Sequence, residues 1–172
     1  NITQRVVSAG APADMLLLAV APEKVVGFSS FDFSRQTAIP FHDDIRSLPK
    51  LGRLAGRAST LSLEALLALK PDLVIDCGNA DETWLSQARQ VSAQTHIPWL
   101  LINGELRHTP EQLHAAGEAL GVVSRTAMQA ALARRFIDNA IAFSHTAAAN
   151  LRFYAARGAR GLETGLQGSL HT

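Results

Sequence analysis

The segment from Ser59 to Cys77, STLSLEALLALKPDLVIDC, contains a helix, a proline and an apolar run, and it limits the fold more than any other part of the chain. Ser62 can cap the helix, because its hydroxyl oxygen can accept a hydrogen bond from a free amide of the first turn. Pro71 cannot continue the helix and disfavours the helical conformation for Lys70. The apolar run after Pro71 predicts a strand that is covered on both faces. The segment therefore predicts one helix–strand unit of a parallel sheet.

The helix in this segment carries three leucines at the spacing of one helical face. Leu63, Leu66 and Leu67 follow the i, i+3, i+4 pattern, so we expect them to form its apolar face. Glu64 lies off this face and near the helix N-terminus, where the helix dipole favours a carboxylate.

The same alternation of strands and helices extends from the start of the chain to Gly121. Four strands that alternate with helices are typical of a parallel sheet with right-handed crossovers. The predicted strands are Arg5–Ala9, Val25–Phe28, Leu73–Ile75 and Pro98–Ile102. The other predicted helices are Ala13–Val20, a short one at Asp43–Leu48, one from the cap Asp81 to about Thr95, and one that begins with a capping box at Thr109–Gln112 and ends at Gly121.

A longer helix is predicted after this alternation. The segment from Ser124 to Ala147 contains no glycine or proline and has apolar residues at near-helical intervals, among them Met128, Leu132, Phe136 and Ile141. A helix of about 24 residues would be about 36 Å long, which exceeds an ordinary globular helix. Residues 151–156, LRFYAA, then predict a strand with no later strand to pair with.

The segment SLEALLALKPDLVID resembles a signature of the substrate-binding proteins of ABC importers for iron–siderophores, haem and cobalamin. The stretches RVVSAG, VVGFSS, IPWLLIN and ARGARGLETGLQGSLHT, in this order, extend the resemblance over most of the chain. It implies an α/β, Rossmann-like lobe with a parallel sheet, followed by a long helix that joins two lobes. The expected divisions are a ligand-binding lobe at 1–122, the connecting helix at 123–148 and the truncated start of a second lobe at 149–172, with the orphan strand inside it.

The resemblance also implies a function. Such a protein captures a metal chelate outside the cytoplasm, performs no chemistry, needs no cofactor and delivers its cargo to an ABC permease. We expect an iron–siderophore as cargo, with haem, cobalamin or an oxyanion as alternatives, and a periplasmic or lipid-anchored protein whose signal peptide has been removed. In this family an acidic residue at the position of Glu64 docks on the permease.

Ligands of open parallel sheets bind beyond the carboxyl ends of the strands. At those ends the candidate contacts are polar or aromatic residues of the turns. Arg53 and Arg57, in a glycine-rich loop, could pair with a carboxylate or catecholate of the ligand, because guanidinium offers donors in a fixed geometry. The predicted ligand-binding residues are Ser30, Phe31, Arg53, Arg57, Asn79 and Asn103.

Composition and motifs argue against nucleic-acid binding, a metal site and a tyrosine ligand to haem. A formal net charge of +1 gives no general attraction to nucleic acid. Cys77 is the only cysteine, and the six histidines form no metal-binding spacing, so we predict no metal site; His42 is interpreted as a solvated loop residue. The only tyrosine, Tyr154, lies on the orphan strand, so we expect no tyrosine ligand to haem in the first lobe.

Two alternatives from other classes remain. One is a Rossmann-like enzyme domain, although the sequence has no GxGxxG after a strand, no P-loop and no GxSxG elbow. The other is an interaction module that self-associates through the strand at 151–156. No apolar run approaches the roughly 20 residues that a membrane-spanning helix needs.

Overall fold

The computed structural model describes residues 3–33, 40–54, 59–146, 150, 152, 154–156 and 158–165. Its sheet consists of strands β1 (Val6–Ser8), β2 (Val25–Gly27), β3 (Leu73–Gly78) and β4 (Trp99–Asn103). All neighbouring pairs are parallel, and the order is β2-β1-β3-β4. A parallel bridge between Phe28 and Lys50 extends the pairing next to β2. The structure confirms the predicted parallel α/β architecture.

The central helix–strand unit forms as the sequence predicts. Helix α3 (Leu63–Leu69) begins where the Ser62 hydroxyl accepts a hydrogen bond of 3.3 Å from the amide of Ala65. Lys70 has a left-handed conformation, with φ of 47°, which ends the helix before Pro71. Five of the six residues of β3 are buried, as expected for a strand covered on both faces.

Helices cover both faces of the sheet. On one face, α1 (Ala11–Val20) and α5 (Thr109–Leu120) contribute buried residues such as Leu17 and Leu113 to a core that also holds Val6 and Ile75. On the other face, α3 and α4 (Glu82–Thr95) pack on Val7 and Val74. The short helix α2 is Asp43–Arg46. The result is a three-layer α/β/α unit that leaves both ends of the strands uncovered by these layers.

The predicted leucine face of α3 is only partly correct. Leu66 is fully buried, whereas Leu63 and Leu67 are 37% and 49% exposed. The inner side of this helix is formed by Leu66 with the partly buried Ala65 and Leu69. The packing face is therefore centred on Leu66 and Leu69, three residues apart, and Leu63 and Leu67 lie at its border.

The predicted capping box of α5 does not form. Thr109 is the first residue of the helix, and its hydroxyl donates to the carbonyl of Leu106 because a short 3-10 turn precedes it. The side chain of Gln112 donates to the carbonyls of Asn103 and Glu105. Gly121 ends the helix with φ of 69°, as predicted.

Helix α6 (Val123–Ser144) has 22 residues and is about 33 Å long. Thr126 and Ala130 of α6 are buried. Helix α6 packs on α5, and this contact holds it to the lobe. The four apolar residues at near-helical intervals are exposed, at 77% for Met128 and 65% for Phe136, for example. Every residue from 138 to 146 is exposed, so the last turns of α6 extend past the three-layer unit.

Residues 152 and 154–156, where the sequence predicts the orphan strand, adopt no helix or strand. Leu151 and Phe153 lie outside the described residues. A strand is stabilised by hydrogen bonds to a neighbour, and β-propensity without a neighbour is weak. Among the described residues, no helix is both long and apolar enough to cross a membrane.

Candidate functional site

The carboxyl ends of the four parallel strands meet at one edge of the sheet. Strands β2 and β3 lie on opposite sides of β1, so the chain changes direction between β1 and β3. In open α/β sheets such a switch point opens a crevice where ligands bind. The residues at this edge are Ser8 to Gly10, Phe28 to Phe31, Gly78 with Asn79, and Asn103 with Gly104.

A buried carboxylate fixes the conformation of the backbone turn at the end of β2. Asp14 of α1 is fully buried, and its Oδ1 accepts a hydrogen bond of 2.8 Å from the amide of Ser29. Its Oδ2 accepts from the Ser29 hydroxyl at 2.8 Å and from the amides of Ser30 and Phe31 at 3.0 Å each. One side chain therefore holds three consecutive amides of this turn.

Phenylalanine rings pack next to this turn. Phe31 contacts Phe33 edge-to-face at a centroid distance of 4.7 Å and Phe41 at 6.0 Å. Phe33 also contacts Phe41 at 5.1 Å and Phe28 at 5.5 Å. Phe28 and Phe33 are buried, whereas Phe31 and Phe41 are only partly buried. The cluster therefore presents two rings at the carboxyl edge.

The arginine loop lies beside the same turn. The amide of Gly52 donates to the carbonyl of Ser29 at 3.0 Å, and the amide of Leu51 donates to the carbonyl of Phe28 at 2.8 Å. Arg53 follows directly and is exposed. Arg57, the second arginine that the sequence singles out, lies outside the described residues.

The two predicted asparagines lie at the other side of the edge. Gly78 pairs in register with Asn103. Asn79 therefore follows β3 and Asn103 ends the neighbouring β4, and both residues are exposed. Three strand spacings, or about 14 Å, separate β2 from β4. The structure thus divides the described candidates into two groups, with Ser30, Phe31 and Arg53 in one and the asparagines in the other. The end of β1 lies between them.

A second buried carboxylate lies at the switch point, and sequence reasoning missed it together with Asp14. Asp76 of β3 is 2% exposed; its Oδ2 accepts from the indole nitrogen of Trp84 at 2.7 Å, and its Oδ1 accepts from the amide of Cys77 at 2.8 Å. A side chain on Gly10 would overlap the carboxylate of Asp76, so the turn after β1 packs directly on it. An acid within an apolar run was the available signal for both residues.

Burial affects the ionisation of Asp76 and of the next residue in β3, Cys77. Burial raises the pKa of Asp76, while the hydrogen bonds from Trp84 and Cys77 act in the opposite direction and the charge of Asp14 adds to the rise. Burial, with the charge of Asp76, raises the pKa of the Cys77 thiol to about 11. The thiol is therefore protonated at neutral pH and is a poor nucleophile.

The raised pKa of Asp76 predicts a pH-dependent contribution to stability. The folded state binds this proton more tightly than the unfolded chain, whose aspartate pKa is about 3.9. The ionised carboxylate therefore lowers the free energy of unfolding above the folded pKa, and this cost disappears as pH falls toward 3.9. Asp76→Asn does not titrate. Urea unfolding between pH 7.5 and 4.5 should show the wild type gaining stability relative to Asp76→Asn as pH falls. A constant difference, or a change in the opposite direction, would contradict the assignment.

Glu64 is exposed in the first turn of α3, whose N-cap residue Ser62 donates its amide to the carbonyl of Leu51 in the arginine loop. The exposed Leu63 and Leu67 lie next to it on the helix surface. The three residues together form a surface patch with one carboxylate and two apolar side chains, which we call the α3 patch.

The described residues contain no cluster of side chains suited to binding a metal ion. No group of three or more His, Cys, Asp or Glu side chains in this part of the chain could hold a metal ion. His42 is exposed at the start of α2, as a solvated loop histidine would be, and Tyr154 is 60% exposed. Trp84 is buried in the core, and Trp99 is partly buried against the same core.

Several solved structures have a similar fold, and they are named as binding proteins. An ABC transporter solute binding protein from Sulfurospirillum deleyianum DSM 6946 matches 85% of this chain, with a TM-score of 0.73 and 20% identity. A periplasmic heme binding protein from Pseudomonas aeruginosa matches 83%, with a TM-score of 0.58 and 22% identity. A periplasmic vitamin B12 binding protein of Vibrio cholerae matches 80%, with a TM-score of 0.57 and 19% identity.

These likenesses show the fold. The chain has the α/β architecture and long helix of the class III, helical-backbone periplasmic binding proteins. It spans about half the length of each of the three neighbours, at 46%, 47% and 49%. Searches with the sequence find no matching family model and no matching curated protein.

Proposed function

We propose that the chain is the ligand-binding lobe and connecting helix of an extracytoplasmic substrate-binding protein, which captures a metal chelate and delivers it to an ABC permease. The observation that carries this proposal is the combination of a parallel lobe, open at its carboxyl edge, with a 22-residue helix that extends past it. Solved structures with a similar fold are named as an ABC transporter solute binding protein, a periplasmic heme binding protein and a periplasmic vitamin B12 binding protein. The cargo we favour is an iron–siderophore.

In this proposal the ligand contacts the carboxyl edge. Ser30, Phe31 and Arg53 would contact it on the β2 side, and Asn79 and Asn103 on the β4 side. Arg57 remains a proposed ligand contact on the basis of the sequence alone. The second half of the cleft would come from a further lobe, since the neighbours are about twice as long as this chain. The divisions at residues 122 and 148 belong to the same proposal.

The proposal assigns no chemical step to this chain. The two buried carboxylates at the edge already accept hydrogen bonds from the protein, and the buried thiol is protonated at neutral pH. Both carboxylates are therefore occupied within the lobe, and turns and exposed side chains remain to contact a ligand. The protein would act in the periplasm or, with a lipid anchor, on the outer face of the cytoplasmic membrane.

Equilibrium binding tests this function. We would express the chain with any residues that its reading frame encodes beyond 172 and titrate it with ferrichrome, ferric enterobactin, hemin, cyanocobalamin and molybdate, following tryptophan fluorescence. We expect saturable binding of one chelate at micromolar concentration or below. Tight binding of hemin or cyanocobalamin would change the cargo and keep the class, and absence of binding by all five probes would contradict the proposal.

The α3 patch supports permease docking by Glu64. Charge pairs at the rim of an interface mainly affect association rate and orientation. We expect Glu64→Lys to reduce the stimulation of the importer's ATPase by about tenfold at subsaturating protein, because the charge reversal replaces attraction with repulsion. Chelate binding should stay unchanged.

Glu82 provides the matched control for this substitution. It is an exposed glutamate in the first turn of another helix, α4. Glu82→Lys should leave the stimulation within twofold of wild type. Equal losses in the two variants would indicate a general charge effect and argue against docking by Glu64.

Self-association through residues 151–156 is a separate proposal. The irregular conformation of residues 152 and 154–156 gives it no support. Light scattering of the purified chain at increasing concentration would test it, with a monomer at all concentrations as the contradicting result.

A further inference from the structure

The turn at the end of β2 has no free amides for an anion. Consecutive backbone amides can form a concave site that binds oxyanions. Here the amides of Ser29, Ser30 and Phe31 all donate to the carboxylate of Asp14. The protein itself fills this site with a negative charge, and that charge disfavours a second anion close by.

The surface beside the filled turn is aromatic. Phe31 and Phe41 are partly buried, and their rings pack edge-to-face on the buried Phe33. Rings held in this way offer contact area to another aromatic group with little loss of side-chain entropy. We call Phe31 and Phe41 the aromatic wall.

A cationic side chain borders the aromatic wall. The hydrogen bond from Gly52 to Ser29 places Arg53 next to the turn that carries Phe31. Guanidinium can stack on an aromatic face and can pair with a carboxylate or catecholate. Aromatic surface and a cation, beside a turn whose three amides already donate to Asp14, suit an aromatic anion better than a bare oxyanion.

We propose that the aromatic wall receives an aromatic part of the ligand, so that the cargo is an aromatic chelate, either a porphyrin or a catecholate complex. This inference rests on the proposed function and narrows its substrate class. It places an aromatic ring of the ligand against Phe31 and an anionic group toward Arg53.

The test compares matched probes on the chain with any residues that its reading frame encodes beyond 172. Hemin and ferric enterobactin are aromatic chelates, ferrichrome is a non-aromatic iron chelate, and molybdate is an oxyanion. We expect hemin or ferric enterobactin to bind at least tenfold more tightly than ferrichrome, and molybdate not to bind. The tighter of the two aromatic probes distinguishes a porphyrin from a catecholate.

Substitution of Phe31 locates the contact. Phe31→Leu keeps an apolar side chain and removes the ring, so it should weaken the aromatic probe by about threefold to tenfold. Phe136→Leu, on the exposed surface of α6, should change binding by less than twofold. Thermal unfolding of both variants would establish that they are folded.

The other possible outcomes would contradict either this inference alone or the proposed function as well. If ferrichrome binds as tightly as the aromatic chelates, or if Phe31→Leu binds like wild type, this inference is wrong and the proposed function stands. If molybdate binds, this inference is wrong and the cargo is an oxyanion. If no probe binds, the proposed function fails and this inference fails with it.

Discussion

Asp14→Ala lowers the free energy of unfolding by about 3 to 5 kcal/mol. The substitution removes the acceptor of four hydrogen bonds and leaves the amides of Ser29, Ser30 and Phe31 without a partner. An unsatisfied buried polar group costs about 1 to 3 kcal/mol. The lower part of that sum is expected here, because Ser30 and Phe31 are partly accessible to water. Urea unfolding measured by circular dichroism gives the value.

Asp43 provides the control for Asp14. It is an exposed aspartate in the first turn of α2, where a carboxylate contributes at most about 1 kcal/mol. Asp43→Ala should therefore cost less than about 1 kcal/mol. A similarly small loss for Asp14→Ala would mean that water replaces the carboxylate. That result would contradict the claim that Asp14 holds the turn that carries Phe31 of the aromatic wall.

Gly117→Ala lowers the free energy of unfolding by up to about 2 kcal/mol, although alanine is the better helix former. Gly117 lies in the middle of α5, and a methyl group there would overlap the buried side chain of Thr126 on α6. Overpacking of this kind typically costs about 1 to 3 kcal/mol, against a gain of about 1 kcal/mol in helix propensity. The close approach of the two helices is what attaches α6 to the lobe.

A double-mutant cycle identifies the cause. Thr126→Ala removes two of the three atoms nearest to the added methyl group, so it should recover about 1 kcal/mol in the Gly117→Ala background. Gly78→Ala is the control, because a methyl group at Gly78 meets no atom within 4 Å. Additive effects of the two substitutions in α5 and α6 would argue against the close contact.

Local signals predicted most of the fold. The hydroxyl of Ser62, the carboxylate of Asp81 and the left-handed Gly121 act within a few residues of the helix ends that they determine. Apolar runs next to turn residues predicted the strands, and the absence of glycine and proline after Ser124 predicted a long helix there. The capping box at Thr109 does not form because, after the preceding 3-10 turn, Thr109 is the first helical residue and not the N-cap, and its hydroxyl donates to the carbonyl of Leu106.

The candidate site depended on contacts that no local pattern records. Asp14 reaches a turn fifteen positions later, and Asp76 lies against Gly10 of another strand end. The division of Phe31 from Asn103 follows from the strand order, which the sequence did not specify. Exposure of Leu67 and Phe136 was equally hidden, because helical spacing shows a shared face without showing what covers it.

The most direct test of the central claim is the ATPase activity of the ABC importer that the proposed function pairs with this chain, reconstituted in proteoliposomes. The chain, expressed with any residues that its reading frame encodes beyond 172, would be added with and without its best chelate. We predict that the protein loaded with chelate raises ATP hydrolysis several-fold over the importer alone. Hydrolysis that stays at the level of the importer alone, at saturating protein and chelate, would contradict the account.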